Sequence, residues 1–535
     1  MNDNNANFDV VIVGAGFSGL YMLIKARELG LSVKVIEAGG DVGGTWYWNR
    51  YPGARCDVES MEYSYEFSEE LQQEWEWTER YATQPEILSY INHVAERFDL
   101  RRDVQFDTRV TGAHFDAEAH RWRVETDGEQ RFSAQFLVAA SGPLSVPLKP
   151  EFPGQEQFQG DIYYTGDWPH QGVDFSGQRV AVIGTGSSGV QSIPLIAGEA
   201  EHLTVYQRTP AYVVPAQNHP LDKEEQQRIK ADYPRLRAEN AKLYFSLGAL
   251  YEAEDITMAE HSAEQRQSHL EKWWSVGGLP FMLSYSDLML NPQTNHEVAE
   301  FVRAKIAGTV KDRELAARLM PWGVLGSKRL CTGTDYYETY NRDNVSLVDL
   351  RESPLECFTR SGIRTSDGER EFEAIVCATG FDAMTGALSR MGIHGAGGGT
   401  LKEAWEDGAD TYLGLQVCGF PNLFILAAGP GSSLAFSNAV TSIQHHVEWI
   451  SDCITYMRAQ GKHTIEATAE AQSAWVEHVQ KVANTTLFPR ENSWYSGANV
   501  PGKARLFLPY VGGFPAYTQR CRDVADKGYE GFSLS

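Results

Sequence analysis

The sequence predicts an α/β protein that contains two domains of one kind and a helical insertion. Two stretches carry the first part of this prediction, since each joins an apolar strand directly to a glycine-rich turn and the start of a helix. One is FDVVIV followed by Gly14–Gly19, and the other is RVAVI followed by Gly184–Gly189. The insertion is predicted from residues 211–321, where charged and apolar residues recur at helical spacing.

A glycine-rich turn between a strand and a helix is typical of Rossmann-like dinucleotide-binding domains. The glycines let the backbone approach a pyrophosphate, and the helix N-terminus presents unpaired N–H groups to that negative charge. One turn alone is weak evidence, whereas two turns with matching strands favour two nucleotide sites. The candidate residues are Gly14, Gly16, Ser18 and Gly19 in the first turn and Gly184, Gly186, Ser187, Ser188 and Gly189 in the second.

The residue at the end of the following strand indicates which nucleotide each unit binds. In the first unit this residue is Glu37, whose carboxylate accepts hydrogen bonds from a free 2′-hydroxyl and repels a 2′-phosphate. The same count in the second unit reaches Gln207, and the next residue, Arg208, supplies a guanidinium that pairs well with phosphate. The first unit therefore suits the adenosine of FAD, and the second suits NADPH.

Composition narrows the function classes. Lys and Arg number 47 against 71 Asp and Glu, which leaves a net charge of −24 that disfavours binding to nucleic acid or to anionic membranes. The seven cysteines are scattered and include no C-x-x-C pair, so we expect reduced thiols and no metal site. The N-terminal stretch lacks the pattern of a signal peptide, and no apolar run reaches membrane length. We expect a cytoplasmic protein that is a monomer or a weak homodimer.

Two further stretches match a family signature. Residues 43–57 contain Gly-Gly-x-Trp, an aromatic residue before Pro-Gly, and Asp57; residues 158–169 contain Phe-x-Gly, then Tyr164, then Trp-Pro. Together they resemble the fingerprints of the type I Baeyer–Villiger monooxygenases. Tyr164 departs from that family, which has a histidine at this position. A tyrosine does not become cationic near neutral pH, so we expect preserved oxygenation with an altered reduction rate or coupling.

The resemblance covers nearly the whole chain and implies a flavin-dependent enzyme that oxidises ketones. In this family FAD and NADPH are the cofactors, and a C4a-peroxyflavin formed with O2 converts a ketone into an ester or lactone. The stretches QRTP, FDAMTGAL and SWYSGANVPGKARLF look most like phenylacetone and steroid monooxygenases. The expected substrate is therefore a bulky aryl, alicyclic or steroid-like ketone.

Two charged positions are the catalytic candidates that the resemblance implies. Arg329 matches the family's arginine over the flavin, and Asp57 is expected beside it and near the isoalloxazine. An arginine suits this role because it stays charged at any working pH and donates several hydrogen bonds in fixed directions. The preceding Lys328 matches a lysine that reaches the NADP phosphate. The alternatives are a surface carboxylate at Asp57 and a surface Lys-Arg pair that caps a helix.

The resemblance also implies the remaining contacts with cofactors and substrate. Trp494, in a glycine- and proline-rich loop, is expected near the nicotinamide ribose. The apolar loop Ser432–Phe436 is expected to line the substrate pocket, with simple packing as the alternative. The further cofactor candidates are Gly44, Thr45, Trp46, Tyr63, Val110, Gln191 and Thr209, and the pocket candidates are Leu434, Ala435, Phe436 and Phe507.

The predicted domain order follows the motifs along the chain. Residues 1–150 and 380–535 form a discontinuous FAD-binding domain, because the buried strand AIVCATG resembles the crossing back to the flavin domain in two-dinucleotide flavoproteins. Residues 151–210 and 326–379 form the NADP-binding domain. Residues 211–325 form the helical insertion, in which Trp273 and Trp274 are expected to be core or pocket-wall residues.

Two other classes of function remain open at this stage. Flavin-dependent N- or S-oxygenases share both glycine turns and the Phe-x-Gly start, although residues 43–57 and the Trp-Pro pair favour ketone oxidation. A flavoprotein that uses NADPH only to set its flavin state, without oxygenation, would give Lys328 and Arg329 a structural role.

Overall fold

The structure is a computed structural model that describes residues 5–251 and 253–535. Most of its strands are short, and they form two larger sheets and three small ones. The strands are β1 (Asn5–Val13), β2 (Val33–Ile36), β3 (Val104–Gln105), β4 (Val110–Asp116), β5 (Arg121–Thr126), β6 (Arg131–Ala139), β7 (Asp161–Tyr164), β8 (Arg179–Ile183), β9 (His202–Gln207), β10 (Val213–Pro215), β11 (Cys331–Gly333), β12 (Val345–Asp349), β13 (Leu355–Phe358), β14 (Gly362–Thr365), β15 (Gly368–Glu371), β16 (Ala374–Cys377), β17 (Ile393–His394), β18 (Leu423–Ile425), β19 (Ile465–Ala467) and β20 (Phe532–Leu534).

The helices cover the sheets and build the insertion. They are α1 (Phe17–Glu28), α2 (Thr45–Trp48), α3 (Glu69–Glu74), α4 (Gln84–Arg97), α5 (Ser187–Glu199), α6 (Lys223–Ala231), α7 (Tyr233–Asn240), α8 (Ala263–Val276), α9 (Pro292–Thr309), α10 (Arg313–Leu319), α11 (Tyr336–Thr339), α12 (Gly386–Arg390), α13 (Leu401–Ala404), α14 (Ala439–Ala459), α15 (Ala469–Asn484) and α16 (Phe514–Asp526). Within the two described ranges, no helix combines the length and the apolar character that crossing a bilayer requires.

The first sheet has the strand order β17-β4-β5-β6-β1-β2-β3, and β18 pairs with the C-terminal end of β6. Its centre is parallel, because β1 lies between β2 and β6 with all three running in the same direction. The strands β4, β5 and β6 form an antiparallel meander at one side. Strands buried on both faces are rich in aliphatic residues, and the apolar runs FDVVIV and FLVAA fit that requirement. Helices α1 and α14 pack together over this sheet.

The second sheet is parallel throughout, with the order β12-β9-β8-β16-β7. Within this sheet, β8, α5 and β9 follow one another as a βαβ unit, and α5 packs against both strands. In a parallel sheet the carboxyl ends of neighbouring strands meet at one edge, where ligands bind in open α/β folds. The two parallel units, and the helical segment that interrupts the second of them, confirm the predicted α/β architecture.

The insertion leaves and re-enters the second unit through paired strands, β10 and β11. Trp273 is buried in it, together with Phe281, as expected for a core residue. Two buried arginines join the insertion to the first unit from opposite sides. Arg80 donates hydrogen bonds to three carbonyls of the insertion, and Arg237 of α7 donates to the carbonyl of Glu62 and the hydroxyl of Ser64. These charged hydrogen bonds satisfy carbonyl and hydroxyl groups at the contact between the insertion and the first unit.

Two chain segments connect the sheets, and they pair with each other. Segment 143–148 leads from β6 towards β7, and segment 379–384 leads from β16 back to the first sheet. Leu148 donates its N–H to the carbonyl of Gly380 at 2.8 Å, and Asp382 donates to that of Val146 at 2.9 Å. A short antiparallel bridge between Pro147 and Phe381 completes the contact. We call these two paired segments the double crossing.

Candidate functional site

The first glycine turn lies at the carboxyl edge of the first sheet. Gly14 has a φ of 109°, and a Cβ there would lie 2.5 Å from the carbonyl oxygen of Ala140, so only glycine fits. Helix α1 begins directly afterwards at Phe17, with Gly16 as its N-cap and no side chain capping it. Its first N–H groups therefore remain available to an anion. Ser18 and Gly19 occupy the first turn of this helix.

Glu37 lies beside this turn at the end of β2. Its carboxylate accepts the N–H of Ala15 at 2.6 Å and that of Gly39 at 2.7 Å, and only 5% of the residue is exposed. Burial raises the pKa of Glu37, while these backbone hydrogen bonds lower it. A carboxylate has about four acceptor positions, so two remain for ribose hydroxyls. Val110 starts β4, two residues after Thr108, whose N–H bonds the Glu37 carbonyl.

The second glycine turn repeats this geometry between β8 and α5. Gly184 has a φ of 111°, and a Cβ there would overlap the carbonyl oxygen of Ala378; one at Gly189 would overlap that of Gly184. A Cβ at Gly186 would meet no atom within 4 Å, so the space next to this glycine is empty of protein atoms. Helix α5 begins at Ser187 without a side-chain cap. The cradle therefore fits a pyrophosphate in the same way as the first.

The two predicted phosphate-binding cations are exposed, and one of them follows the strand beside the second turn. Arg208 directly follows β9 and is exposed, and Lys328 is exposed as well. The side chain of Gln207 is buried and donates to the carbonyl of Arg318, so it is directed into the insertion and away from this edge. Thr209 accepts a hydrogen bond from Thr185 through its carbonyl. Arg208 and Lys328 are both exposed cations, and their contact with a 2′-phosphate stays a prediction.

The Gly-Gly-x-Trp loop packs against the first turn. A Cβ at Gly44 would lie 2.8 Å from the Cα of Gly16, so the two backbones approach as closely as glycines allow. Thr45 starts the short helix α2 immediately afterwards. Trp46 is buried and donates its indole N–H to the hydroxyl of Tyr63 at 3.2 Å. The motif therefore forms a wall of the first nucleotide site.

Asp57 and Arg329 form a bidentate ion pair. The Arg329 Nε lies 2.8 Å from Asp57 Oδ2, and its Nη2 lies 2.9 Å from Oδ1. Paired N–H···O bonds of this kind fix the guanidinium in one plane. The two side chains keep 27% and 26% of their area exposed. The pair is therefore rigid on one side and accessible on the other.

Arg329 has two further neighbours. Its Nη1 donates to the carbonyl of Ala435 at 3.1 Å, and the hydroxyl of Tyr495 lies beside the guanidinium. Burial lowers the pKa of Arg329, but the charge of Asp57 and its hydrogen bonds outweigh that effect and raise the pKa well above the usual range. Burial also raises the pKa of Tyr495 to about 12. Arg329 is therefore a permanent cation, and Tyr495 is a neutral hydrogen-bond donor beside it.

The loop that carries Asp57 is attached to the second unit. Tyr51 donates its hydroxyl to the Gln191 side-chain oxygen at 2.8 Å, and the Gln191 amide donates to the carbonyl of Arg55 at 3.1 Å. The chain after Arg329 contacts the same unit, because the Cys331 thiol lies 3.6 Å from the Ser187 hydroxyl at the start of α5. Burial raises the pKa of Cys331 to about 11, so this thiol is protonated. The ion pair thus lies where the two nucleotide units meet.

The pocket candidates lie beside the ion pair. Leu434, Ala435 and Phe436 form a short 3₁₀ helix, and the rings of Phe436 and Phe507 stack at a centroid distance of 6.3 Å. Phe436 also packs against Phe488 and Tyr495, at 4.5 and 4.7 Å. We call this group of four buried rings (Phe436, Phe488, Tyr495 and Phe507) the aromatic wall, and it packs next to the guanidinium.

The two remaining sequence candidates lie outside this centre. Trp494 begins a 3₁₀ turn, and its ring lies 4.2 Å from that of Tyr495. Tyr164 ends the edge strand β7; its hydroxyl accepts a hydrogen bond from the Gln155 amide at 3.1 Å, and the Lys149 ammonium lies 5.2 Å from its ring centroid. Over the residues that the structure describes, no group of His, Cys, Asp and Glu is arranged to hold a metal ion.

Sequence reasoning missed three residues of this site. Tyr495 was not singled out beside Trp494, and neither Tyr51 nor Cys331 was assigned a contact. Their spacing carries no signal, because each one acts through a partner more than a hundred residues away. The carbonyl of Ala435 was likewise expected only in the pocket wall and not as an acceptor for Arg329.

Comparisons with known proteins agree with this geometry. A family model described as pyridine nucleotide-disulphide oxidoreductase matches residues 11–266. The chain is 42% identical to a Baeyer–Villiger monooxygenase of Pseudooceanicola batsensis, covering 98% of this chain and 96% of that protein. It is 41% identical to a phenazine N-monooxygenase of Lysobacter antibioticus, covering 100% and 98%. A solved structure described as an oxidized steroid monooxygenase bound to NADP is 48% identical, with a TM-score of 0.94 over 99% of each chain.

Proposed function

The chain belongs to the Baeyer–Villiger monooxygenase family, and we propose that its ketone substrate is oxidised against the exposed side of Arg329. The protein is an FAD- and NADPH-dependent monooxygenase that oxidises ketones. The overall reaction balances as ketone plus O2, NADPH and a proton, giving ester or lactone, NADP⁺ and water. We propose that O2 is the oxidant in this reaction, and we propose the residue roles and the class of ketone.

The residues present fit both cofactors. Each unit has a glycine turn in which at least one position excludes a Cβ, followed by a helix N-terminus without a side-chain cap, as a pyrophosphate requires. Glu37 suits the ribose of FAD in the first unit, and Arg208 suits the 2′-phosphate of NADPH in the second. When bound, the cofactors supply the electrons and the activation of oxygen. Gly14, Gly16 and Glu37 would hold the adenosine half of FAD. Gly186, Arg208 and Lys328 would hold the phosphates of NADPH.

Arg329 is proposed to stabilise negative charge during the reaction. A ketone carbonyl oxygen gains negative charge as its carbon becomes tetrahedral, and a fixed cation lowers the energy of that state. The guanidinium needs no reorganisation at that moment, because Asp57 and the carbonyl of Ala435 already hold it in place. Removing one such donor typically costs about 3 kcal/mol of transition-state stabilisation.

Asp57 is proposed to act through Arg329 and not as an acid or base. Both of its carboxylate oxygens accept N–H groups of the guanidinium, which directs the remaining donors towards the open side. The aromatic wall excludes water from the same space, and a dry site strengthens the field of the cation. Ketone oxidation rather than hydrolysis or reduction is therefore the chemistry that this centre suits.

The aromatic wall supports a bulky ketone. Its four rings pack together as one apolar cluster beside the guanidinium, and the steroid monooxygenase structure is 48% identical to this chain. We propose aryl, alicyclic or steroid-like ketones as substrates. The bidentate pair of Arg329 beside this wall is the observation that carries the proposal.

A ketone panel tests it. The purified protein with FAD, NADPH and O2 is offered acetone, a cyclic ketone, an aryl ketone and a ketosteroid, and the products are identified by mass spectrometry with labelled O2. Ester or lactone containing one labelled oxygen from the bulky ketones is the expected result. A thioether and a phenazine serve as the rival substrates. N- or S-oxidation without any ester contradicts the proposal, whereas esters from acetone alone contradict only the substrate class.

We further propose the domain division of the sequence analysis, with the double crossing as the boundary between the nucleotide units. A cytoplasmic location and a monomer or weak homodimer belong to the same proposal. The seven cysteines, all free in the described part of the chain, are compatible with a reducing compartment.

A further inference from the structure

We propose that Lys503 is a positioning residue for the ketone-oxidising site, because its ion pair with Asp382 attaches the loop that carries Tyr495 to the double crossing. The loop is residues 493–508. This inference rests on the proposed role of Arg329 and concerns how the geometry around it is maintained.

The loop is attached to the double crossing at two points. Lys503 donates its ammonium to Asp382 Oδ1 at 2.8 Å and to the carbonyl of Ala383 at 3.3 Å. Asn499 donates its side-chain amide to the carbonyl of Phe381 at 2.7 Å. All three acceptors lie in segment 379–384, where the chain returns from the second sheet to the first. The position of the loop therefore depends on that of the crossing.

Asp382 is built to receive this lysine. Only 10% of its side chain is exposed, and 19% of that of Lys503, so the pair is shielded from solvent more than an ordinary surface pair. The other carboxylate oxygen of Asp382 accepts Nη1 of Arg390 at 2.8 Å. A Cβ at Gly386 would lie 2.7 Å from the Asp382 carboxyl carbon, so this glycine leaves room for the carboxylate. Removing Lys503 would leave half of a largely buried carboxylate without its partner.

The other end of the loop touches the catalytic candidates. Tyr495 is 1% exposed and packs on Phe436, the residue after the Ala435 carbonyl that holds Arg329. The Tyr495 carbonyl accepts the N–H of Leu508 at 2.7 Å, which ties the two ends of the loop together. The Lys503 stem packs over Gly497 in between. The seven residues 496–502 thus connect Tyr495, beside Arg329, with Lys503 at the crossing.

The physical consequence is that the positions of the two nucleotide units, through the double crossing and the loop, determine the geometry around Arg329. If Lys503 releases Asp382, the loop keeps its local turns but loses one of its two attachments to the crossing, and the place of Tyr495 beside Arg329 is less firmly fixed. A misplacement of about 1 Å at a reacting centre costs up to about a hundredfold in rate. The substrate pocket also opens to water, which favours release of hydrogen peroxide over ester formation.

The test compares Lys503→Met, Lys503→Arg and Asp382→Asn with Arg505→Met, which removes an exposed cation from the same loop. Ester and hydrogen peroxide formed per NADPH, the Kd for NADP⁺ by calorimetry, and amide hydrogen exchange of residues 493–508 are measured. We expect Lys503→Met and Asp382→Asn to lower kcat for ester formation about tenfold or more. Both variants should also form more hydrogen peroxide per NADPH, exchange the amide hydrogens of the loop faster, and bind NADP⁺ more weakly. Lys503→Arg should recover most of the loss, and Arg505→Met should match the wild type.

Three outcomes overturn the proposal. One is a wild-type product ratio and wild-type loop exchange in Lys503→Met. Another is a lowered Tm in Lys503→Met with no change in product ratio, which indicates a structural role only. The third is a double variant Lys503→Met/Asp382→Asn in which the fold-losses of kcat of the two single variants multiply. Two residues that act through one ion pair should lose no more activity together than either one loses alone. If instead Arg329→Ala forms ester normally, the proposed function itself fails, whatever Lys503 does.

Discussion

The carboxylate of Asp57 and the guanidinium of Arg329 stand 272 residues apart in the chain and meet in two parallel hydrogen bonds of 2.8 and 2.9 Å. Asp57 comes from a loop beside the first nucleotide unit, and Arg329 comes from the segment that follows the helical insertion. The pair forms only when both units and the insertion are folded against each other. Several measurable consequences depend on this arrangement.

Arg329→Ala should reduce ester formation by about a hundredfold to a thousandfold, because a fixed donor to the developing charge is lost. Arg329→Lys should recover little, since an ammonium does not reproduce the bidentate contact with Asp57. Product analysis at saturating ketone measures the effect. Arg313→Ala, which removes an exposed arginine from α10, is the matched control and should behave as the wild type. Normal ester formation by Arg329→Ala would contradict the role given to this residue.

Arg208→Ala and Lys328→Ala should each weaken binding of NADPH, and should hardly affect NADH. A charged hydrogen bond to phosphate contributes about 1.5–3 kcal/mol, which corresponds to about tenfold to a hundredfold in KM for NADPH. Steady-state kinetics with both nucleotides provide the comparison. Lys311→Ala, at another exposed lysine, should leave both KM values unchanged. Parallel losses for NADH and NADPH would show that these cations do not recognise the 2′-phosphate.

The second glycine turn predicts two different defects from the same substitution. Gly184→Ala forces a φ of 111° on alanine and overlaps the Ala378 carbonyl, so it should destabilise the fold by about 1–3 kcal/mol. Gly186→Ala meets open space and should keep the wild-type Tm, yet its methyl group would project into the space proposed for the pyrophosphate and should raise the Kd for NADP⁺. Thermal unfolding and calorimetry separate the two effects. A lowered Tm in Gly186→Ala with unchanged NADP⁺ binding would contradict this assignment.

Two histidines of α14, the buried His446 and the half-buried His445, predict sensitivity to acid. Burial lowers the pKa of His446 to about 3 and that of His445 to about 4, and the latter is lowered further by Arg522. An unfolded histidine titrates near pH 6.5, so between that value and about pH 4 the unfolded state binds more protons. The free energy of unfolding should therefore fall with decreasing pH, by at most about 1.4 kcal/mol per pH unit for each histidine.

Urea unfolding at a series of pH values measures that slope. The double variant His445→Gln/His446→Gln should show a shallower slope between about pH 6.5 and pH 4, even if its stability at neutral pH is lower. His463→Gln, at an exposed histidine, should keep the wild-type slope. An unchanged slope in the double variant would show that other groups control the acid response.

Tyr164→His tests the departure from the family signature. The present tyrosine accepts a hydrogen bond from Gln155 and lies under the Lys149 ammonium, and an imidazole next to that cation loses both contacts. We expect oxygenation to continue, with a changed ratio of NADPH consumed to ester formed. Tyr164→Phe, which keeps the ring, separates the hydroxyl from the cation contact. Tight coupling that stays the same in both variants would show that the tyrosine is silent.

Much of the fold was predictable because it is encoded in short, contiguous patterns. The strands before Gly14 and Gly184 are apolar runs, and both glycines have φ values that other residues rarely adopt. Glu37 and Arg208 lie where strand spacing placed them. The pairing partners of Arg329 were expected only through the family resemblance, since nothing in the local pattern around residue 329 indicates a carboxylate at residue 57.

The amino-acid sequence by itself determined the two nucleotide units and the helical insertion, and it predicted a different ribose preference for each unit, because these depend on local periodicity and on single residues at strand ends. The tertiary structure decided which side chains meet: Asp57 with Arg329, Tyr495 beside the same guanidinium, and Lys503 with Asp382. These contacts join segments far apart in the chain, and their geometry depends on how whole domains pack. No local spacing rule carries that information.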